Sequence, residues 1–163
     1  MDDTELASTI AESALAAGHT IAAAESVTAG HVAGALAAGP QASEWFCGSL
    51  VVYQTSLKQR LLGVTVDNVI TAECATQMLL GVLDATGADF AVSTTGAGGP
   101  DPEEGQPAGT LFVCAGSRES HRVERYQLGG SPTEVVEAAT HAALAQLRDA
   151  ITTSSYRSPP AAP

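Results

Sequence analysis

Two hydrophobic periods alternate along the chain, and that alternation leaves few folds open. Apolar residues recur at helical spacing over residues 4–17, where Leu6, Ile10, Ala14 and Leu15 share a face and Gly18 supplies a stop. A short apolar strand follows at 20–24. Ser26 or Thr28 is placed to cap a second helix through Leu36, closed by Gly39 and Pro40. Residues 45–53 read as a strand and lead into a short helix ending near Leu62. Residues 72–85 read as a helix capped by Thr71, and 89–94 as a buried strand. A Gly/Pro/acidic loop occupies 96–107. Strands at 110–115 and 122–128 form a hairpin around Gly116 and Ser117. A last helix, capped by Ser131 or Thr133 with Pro132 in its first turn, runs to about Ala150. Helices interleaved with strands predict an α/β fold: one domain over residues 1–151, a three-layer α/β/α sandwich around a mixed β-sheet. Residues 152–163, rich in Ser, Pro and Ala, are expected to be disordered.

Composition limits the core and the partners. Hydrophobic residues make up 45 % of the chain and aromatics only 4 %, so the core is built from Ala, Val, Leu and Ile. The net charge of −11 disfavours nucleic acid and anionic membrane surfaces, both of which call for clustered Lys and Arg. No apolar run reaches transmembrane length, and the acidic start Met1-Asp2-Asp3-Thr4-Glu5 is unlike a secretory signal. Cys47, Cys74 and Cys114 sit in apolar contexts without CxxC spacing, which predicts buried, reduced thiols and a cytoplasmic protein. His19, His31, His121 and His141 lack metal-ligand spacing, so no metal is expected.

Three segments can carry chemistry. Six of the seven basic residues are arginine, and the exception is Lys58, five residues after Tyr53. Arginine keeps its proton in a protein, whereas a buried lysine can act as a base. Ser26, in Ala24-Glu25-Ser26-Val27-Thr28-Ala29-Gly30, stands where a strand becomes a helix. It reads either as an N-cap or as a nucleophile beside backbone N–H groups able to hold an anion. Ser93-Thr94-Thr95 runs into the glycines Gly96, Gly98 and Gly99, which let backbone N–H groups approach an anion. Asp101, Glu103 and Glu104 read as solvated rather than as metal ligands.

Together these segments resemble the C-terminal domain family of the competence/damage-inducible protein CinA, which includes nicotinamide mononucleotide deamidase. The family's A-E-S-C-T-G-G is matched by residues 24–30. Its Tyr, Lys and Gly-Val pattern is matched by Tyr53, Lys58 and Gly63-Val64. Its S-x-[ST]-G-x-x-G-P-D and P-x-G-T are matched by Ser93, Thr95, Gly96, Gly99-Pro100-Asp101, Pro107, Gly109 and Thr110. The resemblance implies hydrolysis of the nicotinamide mononucleotide carboxamide to nicotinic acid mononucleotide and ammonia, with no cofactor and in a homodimer or higher homo-oligomer. It implies Ser26 as nucleophile, Lys58 as base and Tyr53 as relay or orienting group, with Glu25, Thr28, Gly30, Gly96 and Gly99 at the small-molecule nucleotide substrate and Thr95 contacting it or supporting Ser26. Alternatives are an amidase for another small amide, or a non-catalytic module that binds a nucleotide or a partner. The pattern departs at Val27, at Ala29 in place of glycine, at Gln54-Thr55, at Ala97-Gly98, at Gln106 and at Pro132, where many members carry an arginine. Arg122 and Arg125 are the candidates to replace that cation.

Overall fold

The structure is a computed structural model and describes residues 1–155. The elements in chain order are α1 (Asp3–Ala17), β1 (Ile21–Glu25), α2 (His31–Ala37), α3 (Ala42–Trp45), β2 (Phe46–Val51), α4 (Thr55–Leu62), α5 (Ala72–Thr86), β3 (Phe90–Gly96), β4 (Thr110–Gly116), β5 (His121–Gln127) and α6 (Pro132–Ser155). One five-stranded sheet has the order β2-β1-β3-β4-β5. β1 runs parallel to β2 and β3, while β4 is antiparallel to both β3 and β5.

Side-chain alternation along the strands divides the core in two. Ile21, Ala23, Phe90, Val92, Leu111 and Val113 pack with α1, α2 and α6 on one face. Ala22, Ala24, Ala91, Phe112 and Cys114 pack with α5 on the other. This is the expected three-layer sandwich around a mixed sheet. Its small core residues let backbones approach closely. At Gly81 in α5 a Cβ would lie 2.1 Å from the Leu62 carbonyl oxygen, so only glycine lets α5 seat the end of α4.

Local chemistry explains where the boundaries fall. Asp2 caps α1 and exchanges hydrogen bonds with Glu5 in a capping box, and Gly18 closes the helix in the left-handed region. Thr71 caps α5 as expected. Ser131 and Glu134 bond each other's backbone ahead of α6, whose first residue is Pro132. Neither Ser26 nor Thr28 caps α2, which begins after Gly30 at φ +97°. The short helix α3 takes Trp45, expected to open a strand, and buries it with its indole N–H donated to the Pro40 carbonyl. β2 ends at Val51, leaving Tyr53 beyond the sheet. α6 continues to Ser155, through the first residues of the stretch expected to be disordered; residues 156–163 lie outside the described residues. No helix among the described residues is long and apolar enough to cross a membrane.

Candidate active site

The parallel strands β1 and β3 end side by side, with Glu25 paired to Thr94, and the chain leaves both at the same edge. Crevices beyond the carboxyl ends of such strands are where α/β sheets place their ligands. A cleft of about 90 Å³ lies here, lined by Ser26, Val27, Tyr53, Thr55, Lys58, Val69, Ile70, Thr95, Gly96, Glu103 and Glu104. It joins residues from all three chemistry-bearing segments.

Ser26 is held at the cleft by its own N–H, which donates to the Thr94 carbonyl at 3.1 Å. The residue is 7 % exposed, yet its hydroxyl makes no hydrogen bond within the described residues. A hydroxyl unpaired in protein, on a residue otherwise buried, is open at the cleft to solvent or to a ligand.

Glu25 explains how the turn is built. Its side chain is fully buried. One carboxylate oxygen accepts from the Thr28 hydroxyl at 2.8 Å, the Gly30 N–H at 3.1 Å and the Val32 N–H at 2.9 Å. The other accepts from the Ala33 N–H at 3.0 Å and the Ser49 hydroxyl at 2.9 Å. The carboxylate thus occupies the anion position at the start of α2, where orphan N–H groups and the helix dipole favour negative charge. Glu25 and Thr28 were expected at the substrate; the structure puts them under the helix instead, with Thr28 also bonded to Thr94. Gly30 donates to the same carboxylate, and neither Gly30 nor Gly99 lines the cleft. The first-turn N–H groups of α2 are therefore not free for an oxyanion. The N–H groups of Val27 and Thr28, just after Ser26, donate to no backbone acceptor.

Ala29 adopts φ +46° in this turn and is exposed. A β-carbon there costs about 1 kcal/mol relative to glycine. Ala29→Gly is expected to raise the unfolding free energy by roughly that amount in urea titrations at unchanged m-value, since no packing is lost.

Lys58 sits on α4 and is 1 % exposed. Its amine donates to the Tyr53 carbonyl at 2.8 Å and forms no ion pair among the described residues. Loss of water lowers its pKa below the ordinary 10.5, and this outweighs the opposing pull of Cys74, Glu103 and Glu104. Tyr53 lines the cleft through an exposed residue, 67 % accessible, and what it offers Lys58 is its backbone carbonyl. The expected hydroxyl relay from Tyr53 to Lys58 is not formed in the structure.

Thr95 is buried at the cleft wall and donates to the Val69 carbonyl at 2.6 Å, tying β3 to the segment before α5. Glu104, in the left-handed region at φ +50°, accepts the N–H groups of Val69 and Ile70 at 2.8 and 3.0 Å. Glu104 is exposed, as expected, and its carboxylate in addition ties the segment before α5 to the other side of the cleft. At Gly96 a Cβ would meet the Thr110 carbonyl at 2.4 Å.

Arg122 and Arg125 do not supply a cation here. Arg122 pairs with Glu124 on the last strand, and Arg125 approaches Gln127. Neither lines the cleft, whose one basic residue is Lys58. The thiols differ from expectation at one position. Cys74 and Cys114 are buried, and burial pushes them up to about 11 and about 12, but Cys47 is exposed. No group of His, Cys, Asp and Glu among the described residues could hold a metal ion.

Residues 3–151 match the model of the CinA C-terminal domain family. A competence-damage inducible protein of Bacillus velezensis is 34 % identical over 143 residues, which are 85 % of this chain and 34 % of that protein. A relative of the same description from Levilactobacillus brevis is 35 % identical over 153 residues, 90 % of this chain and 37 % of its own. The chain thus spans about a third of the length of these curated relatives. Among solved structures, a competence-damaged protein (CinA) superfamily protein from Enterobacter cloacae superposes with a TM-score of 0.89 at 29 % identity, covering 93 % of both chains. The competence/damage inducible protein CihA from Agrobacterium tumefaciens gives 0.86 at 29 % identity, covering 93 % of this chain and 96 % of its own.

Proposed function

The chain belongs to the CinA C-terminal domain family, and on that premise we propose that it hydrolyses the carboxamide of nicotinamide mononucleotide. The observation that carries the reading is the pairing, in one cleft, of an unpartnered Ser26 hydroxyl with a buried lysine of lowered pKa. Neutral Lys58 takes the proton of the Ser26 hydroxyl as Oγ bonds to the carboxamide carbon. The oxygen that gains charge is met by the N–H groups of Val27 and Thr28. Collapse breaks the C–N bond, and Lys58 returns the proton to the departing nitrogen, which leaves as ammonia. Water then attacks the ester carbon and gives a proton to Lys58, which passes it to Ser26 Oγ as the acyl C–O bond breaks; the product acid loses its proton to solvent and leaves as the carboxylate.

Product analysis tests this. Purified protein incubated with nicotinamide mononucleotide is expected to give nicotinic acid mononucleotide and ammonia in equal amounts, and Ser26→Ala to give neither. A folded wild type that releases no ammonia at stoichiometric enzyme would overturn the reading.

The small cleft supports a second reading within the same chemistry. About 90 Å³ holds the carboxamide end of a ligand, whereas small-molecule sites are usually about 300 Å³ or larger. The nucleotide would then lie largely outside the cleft, or the substrate would be another small amide, which a panel of carboxamides distinguishes. We also propose a homo-oligomer, supported by the exposed apolar residues Val51, at the end of the edge strand β2, Tyr53, which follows it, and Leu61 on α4. A monomer by light scattering would remove that proposal.

A further inference from the structure

We propose that Glu103 is a specificity-determining residue that selects carboxamides whose ring carries a fixed positive charge. The inference rests on the amidase reading above and names the charge class of its substrate. Two carboxylates and one lysine line the cleft, with no arginine among them. Glu104 is committed, since its carboxylate accepts the N–H groups of Val69 and Ile70. Glu103 is not. Its backbone is fixed by a two-way bridge to Gln106, at 3.0 and 2.8 Å, while its carboxylate forms no hydrogen bond or ion pair within the described residues. The turn therefore holds an exposed carboxylate, bonded to no protein group, at the wall of a cleft that Ser26, a residue 7 % exposed with an unpartnered hydroxyl, also lines.

Charge explains why a cation fits. A neutral Lys58 is the working form, and Glu103 and Glu104 both act to hold a proton on it. A cationic ring placed against Glu103 offsets that pull, so binding such a ligand favours the reactive state of the lysine. Hydrolysis then turns a neutral amide into a carboxylate beside Glu103, and the like charges favour product release. An uncharged ring gains neither effect.

The test uses nicotinamide mononucleotide and its reduced form, which keeps the ribose and phosphate but has an uncharged dihydropyridine ring. Binding is measured to Ser26→Ala, which does not turn over, with and without Glu103→Gln. Glu103→Gln is expected to weaken the oxidised ligand about three- to tenfold, the modest effect of a solvent-exposed charge, and to leave the reduced ligand within about twofold. In the single variant, KM rises with kcat little changed. Equal shifts for both ring forms, or no shift for either, overturn the role of Glu103. Continued ammonia release with unchanged ring preference removes only this inference. Failure of the wild type to bind or hydrolyse either form removes the amidase reading and this inference with it.

Discussion

Lys58→Arg is expected to abolish ammonia release, with kcat falling at least about 10³-fold. The substitution keeps a positive charge and a long side chain, so any role as a binding cation would survive it. Only deprotonation is lost, because a guanidinium keeps its proton at every working pH. Lys58→Met gives the complementary result. It is as inactive as the arginine variant, yet as stable as wild type or more so at pH 7. The residue is buried, its amine meets one backbone carbonyl, and no carboxylate neutralises it within ion-pair distance. An apolar replacement removes the cost of withdrawing that charge from water. The pH profile has a matching sign. Burial lowers the folded pKa of Lys58 below 10.5, so the neutral base accumulates, and the rate climbs, as pH rises through that lowered value. The unfolded chain binds the proton more tightly. The contribution of Lys58 to stability is therefore complete above 10.5 and is lost as pH falls through the folded pKa. Activity in Lys58→Arg within tenfold of wild type would show that the lysine is not the base.

The second large effect belongs to Glu25. Glu25→Gln is expected to lower the unfolding free energy by about 2–4 kcal/mol, and the melting temperature by roughly 5–15 °C. Five donors converge on the native carboxylate, three of them backbone N–H groups at the start of α2. An amide keeps one acceptor oxygen and turns a donor toward donors, leaving buried groups unpaired. The residue is sequence-adjacent to Ser26, and its own carbonyl accepts the Val52 N–H at 2.8 Å, binding β1 to the chain that leads to Lys58. The variant should thus lose kcat even at temperatures where it stays folded, with KM less affected. A melting temperature within about 2 °C of wild type would show that α2 does not depend on this carboxylate.

Glu25 also shows where sequence reading stops. The layers were legible, because helical and strand periods alternate cleanly and because Thr71, Gly18 and Pro132 mark helix ends by local chemistry. Ser26, Lys58 and Thr95 were grouped by the family resemblance rather than by spacing, and all three line one cleft. The start of α2 was not. Its N–H groups are satisfied by a carboxylate reached from the end of a strand, whereas a hydroxyl N-cap is the local pattern that sequence reveals. Glu104 is exposed, as read, but its two backbone contacts were not legible, since its partners Val69 and Ile70 lie more than 30 residues earlier in the chain. The role of Tyr53 came from the family motif, and a motif does not distinguish a carbonyl contact from a hydroxyl contact. Arg122 and Arg125 lie on β5, which β4 and β3 separate from β1 and its turn.

Reaction of Ser26 with methanesulfonyl fluoride, followed by mass spectrometry of the peptide that contains it, tests the central claim without presupposing a substrate. One modified serine, Ser26, is expected, with a labelling rate that rises with pH below 10.5 and falls to background in Lys58→Arg. A folded protein in which Ser26 stays unmodified, or is modified at the same rate in Lys58→Arg, would contradict it.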